Sequence, residues 1–138
     1  MNADLVPTEP RALIVEDEAL IAEELRDRLS RLGFSIIAAV DTAEEAIAIA
    51  TRECPDLVIM DIRLNGEKDG VQAAKEIRQQ VDVPIVYVTA YSDRLTLNRA
   101  KATEHDAYLL KPFHRRELQS TIEVAMRRHA LRAGQKKQ

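Results

Sequence analysis

The amino-acid sequence predicts an α/β protein, a five-stranded parallel sheet doubly wound by five helices. Two observations predict it. Five short apolar runs alternate with segments whose apolar residues recur at helical spacing, and such alternation builds right-handed βαβ crossovers and a parallel sheet with helices on both faces. Polar groups also recur at one kind of place: Glu16-Asp17, Asp61, Thr89 and Lys111-Pro112 each stand at the C-terminal end of an apolar run. In open α/β sheets the ligand crevice lies beyond those ends, so residues far apart in sequence can converge there.

Residues 1 to 10 carry Pro7 and Pro10 and little periodic apolar content, and read as a flexible N-terminal arm. Leu13-Ile14-Val15 is the first strand, and Leu20, Ile21, Leu25, Leu29 and Leu32 give the first helix its spacing before Gly33 stops it. Ser35 to Val40 is the second strand; Thr42 with Glu45 is a capping-box signature ahead of Ala46, Ile47 and Ile49. Leu57-Val58-Ile59-Met60 is apolar throughout, as a central strand covered on both faces must be, and it ends at Asp61.

A polar loop from Arg63 to Asp69 containing Gly66 leads through Asp69-Gly70 into a third helix with Val71, Ala74 and Ile77 on one side. Ile85-Val86-Tyr87-Val88 is the fourth strand, ending at Thr89; a helix with a thin apolar face follows over 93–102. Ala107-Tyr108-Leu109-Leu110 is the fifth strand, ending at Lys111, and the last helix runs from about Arg115 to Leu131. This gives a domain over 11–131 and a basic tail over 132–138. Periodicity alone leaves the strand order open.

A chain of 138 residues can bury a proper core. The formal charge of −3 argues against broad attraction to nucleic acid or anionic membrane, and the basic C-terminus complements a helix dipole. Cys54, the single cysteine, excludes an intramolecular disulfide and any multi-cysteine metal site, and is expected to be a buried thiol. No apolar stretch reaches the length of a membrane span, and no signal-peptide pattern opens the chain, so a cytoplasmic protein is expected.

Two adjacent carboxylates after one strand and a third after another are hard oxygen ligands, suited to Mg²⁺ or Mn²⁺. A carboxylate also serves as a nucleophile toward a phosphoryl group, with a metal ion offsetting the repulsion between anions. Lys111 supplies positive charge and Thr89 a hydrogen-bond donor. Singly, each residue reads as a helix cap or a turn; together at one sheet edge they read as a site.

Ala12-Leu13-Ile14-Val15-Glu16-Asp17-Glu18, Leu57-Val58-Ile59-Met60-Asp61-Ile62, Val88-Thr89-Ala90 and Tyr108-Leu109-Leu110-Lys111-Pro112-Phe113 resemble the receiver domain of two-component response regulators, over about residues 11 to 130. The resemblance implies a flavodoxin-like sheet of order 2-1-3-4-5. It implies Asp61 as phosphoacceptor, receiving from a sensor histidine kinase or histidine phosphotransfer protein. Glu16, Asp17 and Asp61, with the backbone carbonyl of Arg63, would hold Mg²⁺. Thr89 and Lys111 would contact the phosphoryl oxygens, Tyr108 would change rotamer with Thr89 on activation, and Lys111-Pro112 would be cis.

Three departures from the family pattern stand out. Glu16 replaces the commoner aspartate, the loop 64–70 is a residue longer and lacks the usual proline, and Thr103-Glu104-His105-Asp106 precedes the fifth strand in place of Gly-Ala. Arg63 and Tyr91, each two residues beyond a site residue, are expected to slow water's approach to the phosphoryl group. Output would pass by protein-protein contact through the fourth helix, fifth strand and fifth helix, a surface also suited to a homodimer. Too few residues follow the match for a DNA-binding output domain unless the chain is a piece of a longer transcriptional regulator.

The rival readings are weaker. A phosphohydrolase of the haloacid-dehalogenase type needs a second aspartate where Arg63 stands, and a flavin site needs a Ser/Thr/Gly-rich loop after the first strand. A non-phosphorylated scaffold receiver would not need the full residue set. The expected activity is self-directed phosphoryl transfer, without a separate substrate.

Overall fold

The computed structural model describes residues 9–90, 98 and 107–136. Its strands are β1 (Arg11–Val15), β2 (Ser35–Val40), β3 (Leu57–Asp61), β4 (Ile85–Ala90) and β5 (Ala107–Lys111). They form one parallel sheet in the order β2-β1-β3-β4-β5, as the resemblance implied. Four helices lie among the described residues: α1 (Ala19–Arg31), α2 (Ala43–Glu53), α3 (Gly70–Gln80) and α4 (Arg115–Lys136). The helix expected over 93–102 (all but residue 98), Tyr91, and residues 1–8 of the expected arm lie outside the described residues.

Strand alternation divides the core in two. Leu13, Val15, Val58, Met60 and Tyr87 pack with Ala46, Ala50, Val71, Ala74 and Ile77 of α2 and α3. Their strand neighbours Ala12, Ile14, Leu57, Ile59, Val86 and Val88 face the other way, against Leu25 and Leu29 of α1 and Leu118, Ile122 and Ala125 of α4. Every residue of β3 is buried, which accounts for its unbroken apolar run.

The caps follow local chemistry. Thr42 Oγ1 accepts from Glu45 N at 3.2 Å, the expected N-cap of α2. Asp69 and Gln72 form a reciprocal capping box on α3, each side chain accepting from the other's backbone N–H at 2.9 Å. Gly33, at φ +99°, ends α1 as expected.

Two expectations change. Cys54 is exposed rather than buried: it is the C-cap of α2 at φ 48°, and this left-handed turn carries its side chain away from the apolar face. The last helix continues past Leu131 to Lys136, so Arg132 and Lys136 belong to it. Arg132, Ala133, Gln135 and Lys136 are good helix formers that offset the weaker Gly134, and no proline interrupts them.

Candidate functional site

Parallel register brings the strand ends together. Val15 pairs with Met60, and Asp61 with Val88, so Glu16 follows β1 beside the end of β3 while Thr89 stands one residue beyond Asp61's partner. Ala90 pairs with Lys111, completing the edge from β5. Glu16, Asp61 and Thr89 are the buried polar residues here, 4%, 3% and 1% exposed.

Lys111 draws the carboxylates together. Its Nζ lies 3.1 Å from Asp61 Oδ2, donates to Glu16 Oε2 at 3.2 Å, and stands 3.6 Å from Glu18 Oε1. The Lys111-Pro112 peptide is cis, as the resemblance implied. Arg63 N donates to Asp61 Oδ1 at 3.1 Å, and Glu18 N donates to Glu16 Oε2 at 3.1 Å. Each buried carboxylate is thus oriented by backbone from its own loop and by an ammonium from a distant strand.

The electrostatics favour a proton in this cage. Burial, then the hydrogen bond and negative charge of Glu16, push Asp61 up to about 8, against the opposing pull of Lys111. Burial works against charge on Lys111, but Asp61 and Glu16 outweigh it and hold its pKa above the ordinary value. A cation beside the carboxylates would do what the proton does, by supplying positive charge.

The donor set fits a hard divalent ion. Carboxylate oxygens of Glu16, Asp17 and Glu18 lie within 4.8 Å of one another, and Asp61 joins Glu16 through Lys111. Glu16 Oε1 is buried and 3.1 Å from Lys111 Nζ, yet the angle makes no hydrogen bond there, leaving a lone pair for a metal. Oxygen ligands of this kind suit magnesium or manganese over zinc.

The remaining expected residues are near but differently engaged. Thr89 Oγ1 donates to the carbonyl of Ala90 at 3.3 Å rather than to a site carboxylate. Tyr108, half-buried, is paired in register with Tyr87, their ring centroids 6.2 Å apart, and burial followed by Tyr87's charge pushes its phenol up to about 12. Sequence reasoning assigned Glu18 no role, although its place in the run Glu16-Asp17-Glu18 was a signal. It also missed Gly70: a β-carbon there would stand 2.1 Å from the Asp61 carbonyl oxygen.

With fold and site in view, the chain's class is defined. Residues 12–123 match the response regulator receiver domain family, and the chain belongs to it. It is 42% identical over 118 residues to the transcriptional regulatory protein PdtaR of Mycobacterium tuberculosis, covering 86% of this chain and 57% of that protein. It is 39% identical over 121 residues to the probable transcriptional regulator ycf27 of Guillardia theta, covering 88% and 47%. The chain therefore spans about half the length of these relatives.

Solved structures agree with the family assignment. The signal receiver domain of a modulated diguanylate cyclase from Desulfovibrio desulfuricans G20 superposes with a TM-score of 0.83 at 36% identity, over 90% of this chain and 98% of that one. The N-terminal domain of a response regulator/sensory box/GGDEF protein from Carboxydothermus hydrogenoformans gives 0.80 at 29%, over 89% and 98%. The protein is a receiver domain of two-component signalling. Among the described residues no helix is long and apolar enough to cross a membrane.

Proposed function

We propose that this receiver is a phosphorylation-controlled switch whose substrate is its own Asp61. The observation that carries the reading is the Lys111 ammonium, held 3.1 Å from Asp61 Oδ2 and 3.2 Å from Glu16 Oε2 at the buried sheet edge. The donor is a phosphohistidine on a sensor histidine kinase or histidine phosphotransfer protein. An ionised Asp61 oxygen attacks phosphorus, a P–O bond forms, and the P–N bond breaks with its electron pair left on the imidazole nitrogen. Asp61 becomes an acyl phosphate. Lys111 stays beside the transferred group and exchanges a carboxylate oxygen for a phosphoryl oxygen.

Thr89 turns its hydroxyl from the Ala90 carbonyl toward the new phosphoryl oxygen, and Tyr108 follows it as the switch residue. Glu16, Asp17, Asp61 and the Arg63 carbonyl would hold Mg²⁺ or Mn²⁺, which when bound offsets the repulsion between the meeting anions. Arg63 and Tyr91 restrict water's approach to the acyl phosphate; cutting both to alanine is expected to shorten its lifetime, measured by loss of the phosphoryl mass. The domain begins at about residue 11 and includes α4 through Lys136. It works in the cytoplasm, without direct contact to nucleic acid or membrane, and is not an enzyme with a separate substrate. Its state passes to a downstream protein, and a homodimer would use the 93–102 segment, β5 and α4.

One observation favours a second setting for the same chemistry. The matched regulators are longer than this chain, which covers 57% and 47% of them, so the domain could be the receiver part of a longer transcriptional regulator. The decisive experiment is intact mass after incubation with Mg²⁺ and acetyl phosphate, comparing the protein with Asp61→Asn. An adduct on the first alone is expected. An adduct on both would move the phosphoacceptor elsewhere, and one on neither would leave a scaffold receiver.

A further inference from the structure

We infer that Gly70 is a positioning residue for phosphoryl transfer, because its bare α-carbon lets the first turn of α3 sit on the backbone of Asp61; the inference rests on the proposed role of Asp61. A β-carbon at 70 would stand 2.1 Å from Asp61 O, 2.9 Å from Asp61 C and 2.9 Å from Ile62 Cα. Nonbonded carbon and oxygen need more than 3 Å, so about 1 Å of separation would have to open. The obstacle is backbone, with no flexible side chain to swing aside.

That backbone is held by β4 on one side and by α3 on the other. Asp61 is laddered to Val88, Ile62 N donates to Val88 O at 3.2 Å, and Gly70 N donates to Ile62 O at 2.7 Å. The Asp69–Gln72 capping box makes the first turn of α3 move as a unit, so it cannot give at residue 70 alone, and lifting it off Asp61 would stretch the Gly70 N–Ile62 O bond. The clash is therefore relieved only by changing how that turn seats on segment 61–63. Arg63 N–H orients Asp61 Oδ1 at 3.1 Å, while Asp61 Oδ2 meets Lys111 at 3.1 Å. Moving this segment changes where the nucleophilic oxygen points relative to the ammonium.

Gly33 provides the contrast. It sits at φ +99°, where any side chain is strained, but a β-carbon there meets nothing within 4 Å and the residue lies at the far end of α1 from the site. Gly33→Ala tests general destabilisation; Gly70→Ala tests position. A misplacement of about 1 Å at a reacting group costs on the order of 100-fold in rate.

The test measures single-turnover phosphorylation of each variant by saturating acetyl phosphate with Mg²⁺, per folded molecule and well below the melting temperature. Gly70→Ala is expected to react about 10- to 100-fold more slowly than the parent, with Gly33→Ala within about twofold of it. A metal-free readout accompanies it: the Arg63 amide resonance should shift in Gly70→Ala and stay in place in Gly33→Ala. Should Gly70→Ala not fold, Gln72→Ala, which loosens the same turn without adding a β-carbon, must slow the reaction more than Gly33→Ala. Parent-like rates in Gly70→Ala, equal slowing by both glycine variants, or parent-like rates in Gln72→Ala in the fallback case would overturn the inference. An unreactive parent would instead overturn the role of Asp61.

Discussion

Lys111 and Glu16, 95 residues apart in the chain, meet with Nζ 3.2 Å from Oε2, and the same ammonium reaches Asp61 at 3.1 Å. One cation thus serves two buried carboxylates. Burial first, then the hydrogen bond and negative charge of Glu16, raise the pKa of Asp61 against the pull of that shared cation.

The first prediction concerns pH. Asp61 is raised from 3.8 to about 8 in the folded protein, so between these values the native state holds a proton that the unfolded chain has released. The contribution to stability is fully present below about pH 4 and is lost as pH rises through about 8. Asp61→Asn does not suffer this loss. In chelator, its melting temperature should exceed that of the parent by an increasing margin from pH 5 to 8.5, reaching at least about 3 °C. Millimolar Mg²⁺ should narrow the margin; a margin independent of pH would refute the protonation argument.

Lys111→Met removes the shared cation and leaves Glu16 and Asp61 facing each other. Loss of one partner from a buried ion pair is strongly destabilising, although protonation relieves part of the cost at low pH. Without metal, the variant should melt below the parent by more at pH 8 than at pH 5.5. Glu18→Gln should change stability by less than about 1 kcal/mol, because Glu18 is exposed and 3.6 Å from the ammonium. Urea titrations of the two variants at both pH values check the contrast.

Thr89→Ala should separate stability from switching. The hydroxyl makes a single 3.3 Å bond to the Ala90 carbonyl, so its loss should cost about 1 kcal/mol. Phosphorylated Thr89→Ala should nonetheless leave the Tyr108 ring resonances where they are in the unphosphorylated protein, whereas the parent's should move. Equal movement in both would remove Thr89 from the switch.

Asp69→Ala should lower the urea-unfolding free energy by about 1 kcal/mol, the usual worth of an N-cap. A smaller loss is expected for Gln72→Ala, because Asp69 Oδ1 satisfies a first-turn N–H of α3, whereas Gln72 Oε1 accepts only from the N–H of residue 69 outside the helix. A larger loss at Gln72 would reverse the assignment of the leading cap.

Much of this site was legible in the chain because its members obey strong local rules. Asp61 and Lys111 end apolar runs that can only be strands, and the motifs around them carried the family and its cis Lys111-Pro112 peptide. Cys54 was misread because a thiol's usual preference for the interior gave no warning of a left-handed C-cap. Gly70 read only as the start of a helix. Its closeness to Asp61 O depends on how α3 returns over β3, which no spacing within residues 61 to 70 encodes.

The elements, and the edge at which the polar residues gather, are written in the chain itself, because side-chain periodicity and turn chemistry act over a few residues. That Lys111 answers to Glu16, Asp61 and Glu18 together, that Thr89 rests on Ala90, and that α3 needs a glycine against Asp61 emerge first in the folded chain. Those relations are set by strand register and helix packing, in which distances of about 3 Å arise between residues 50 to 95 positions apart.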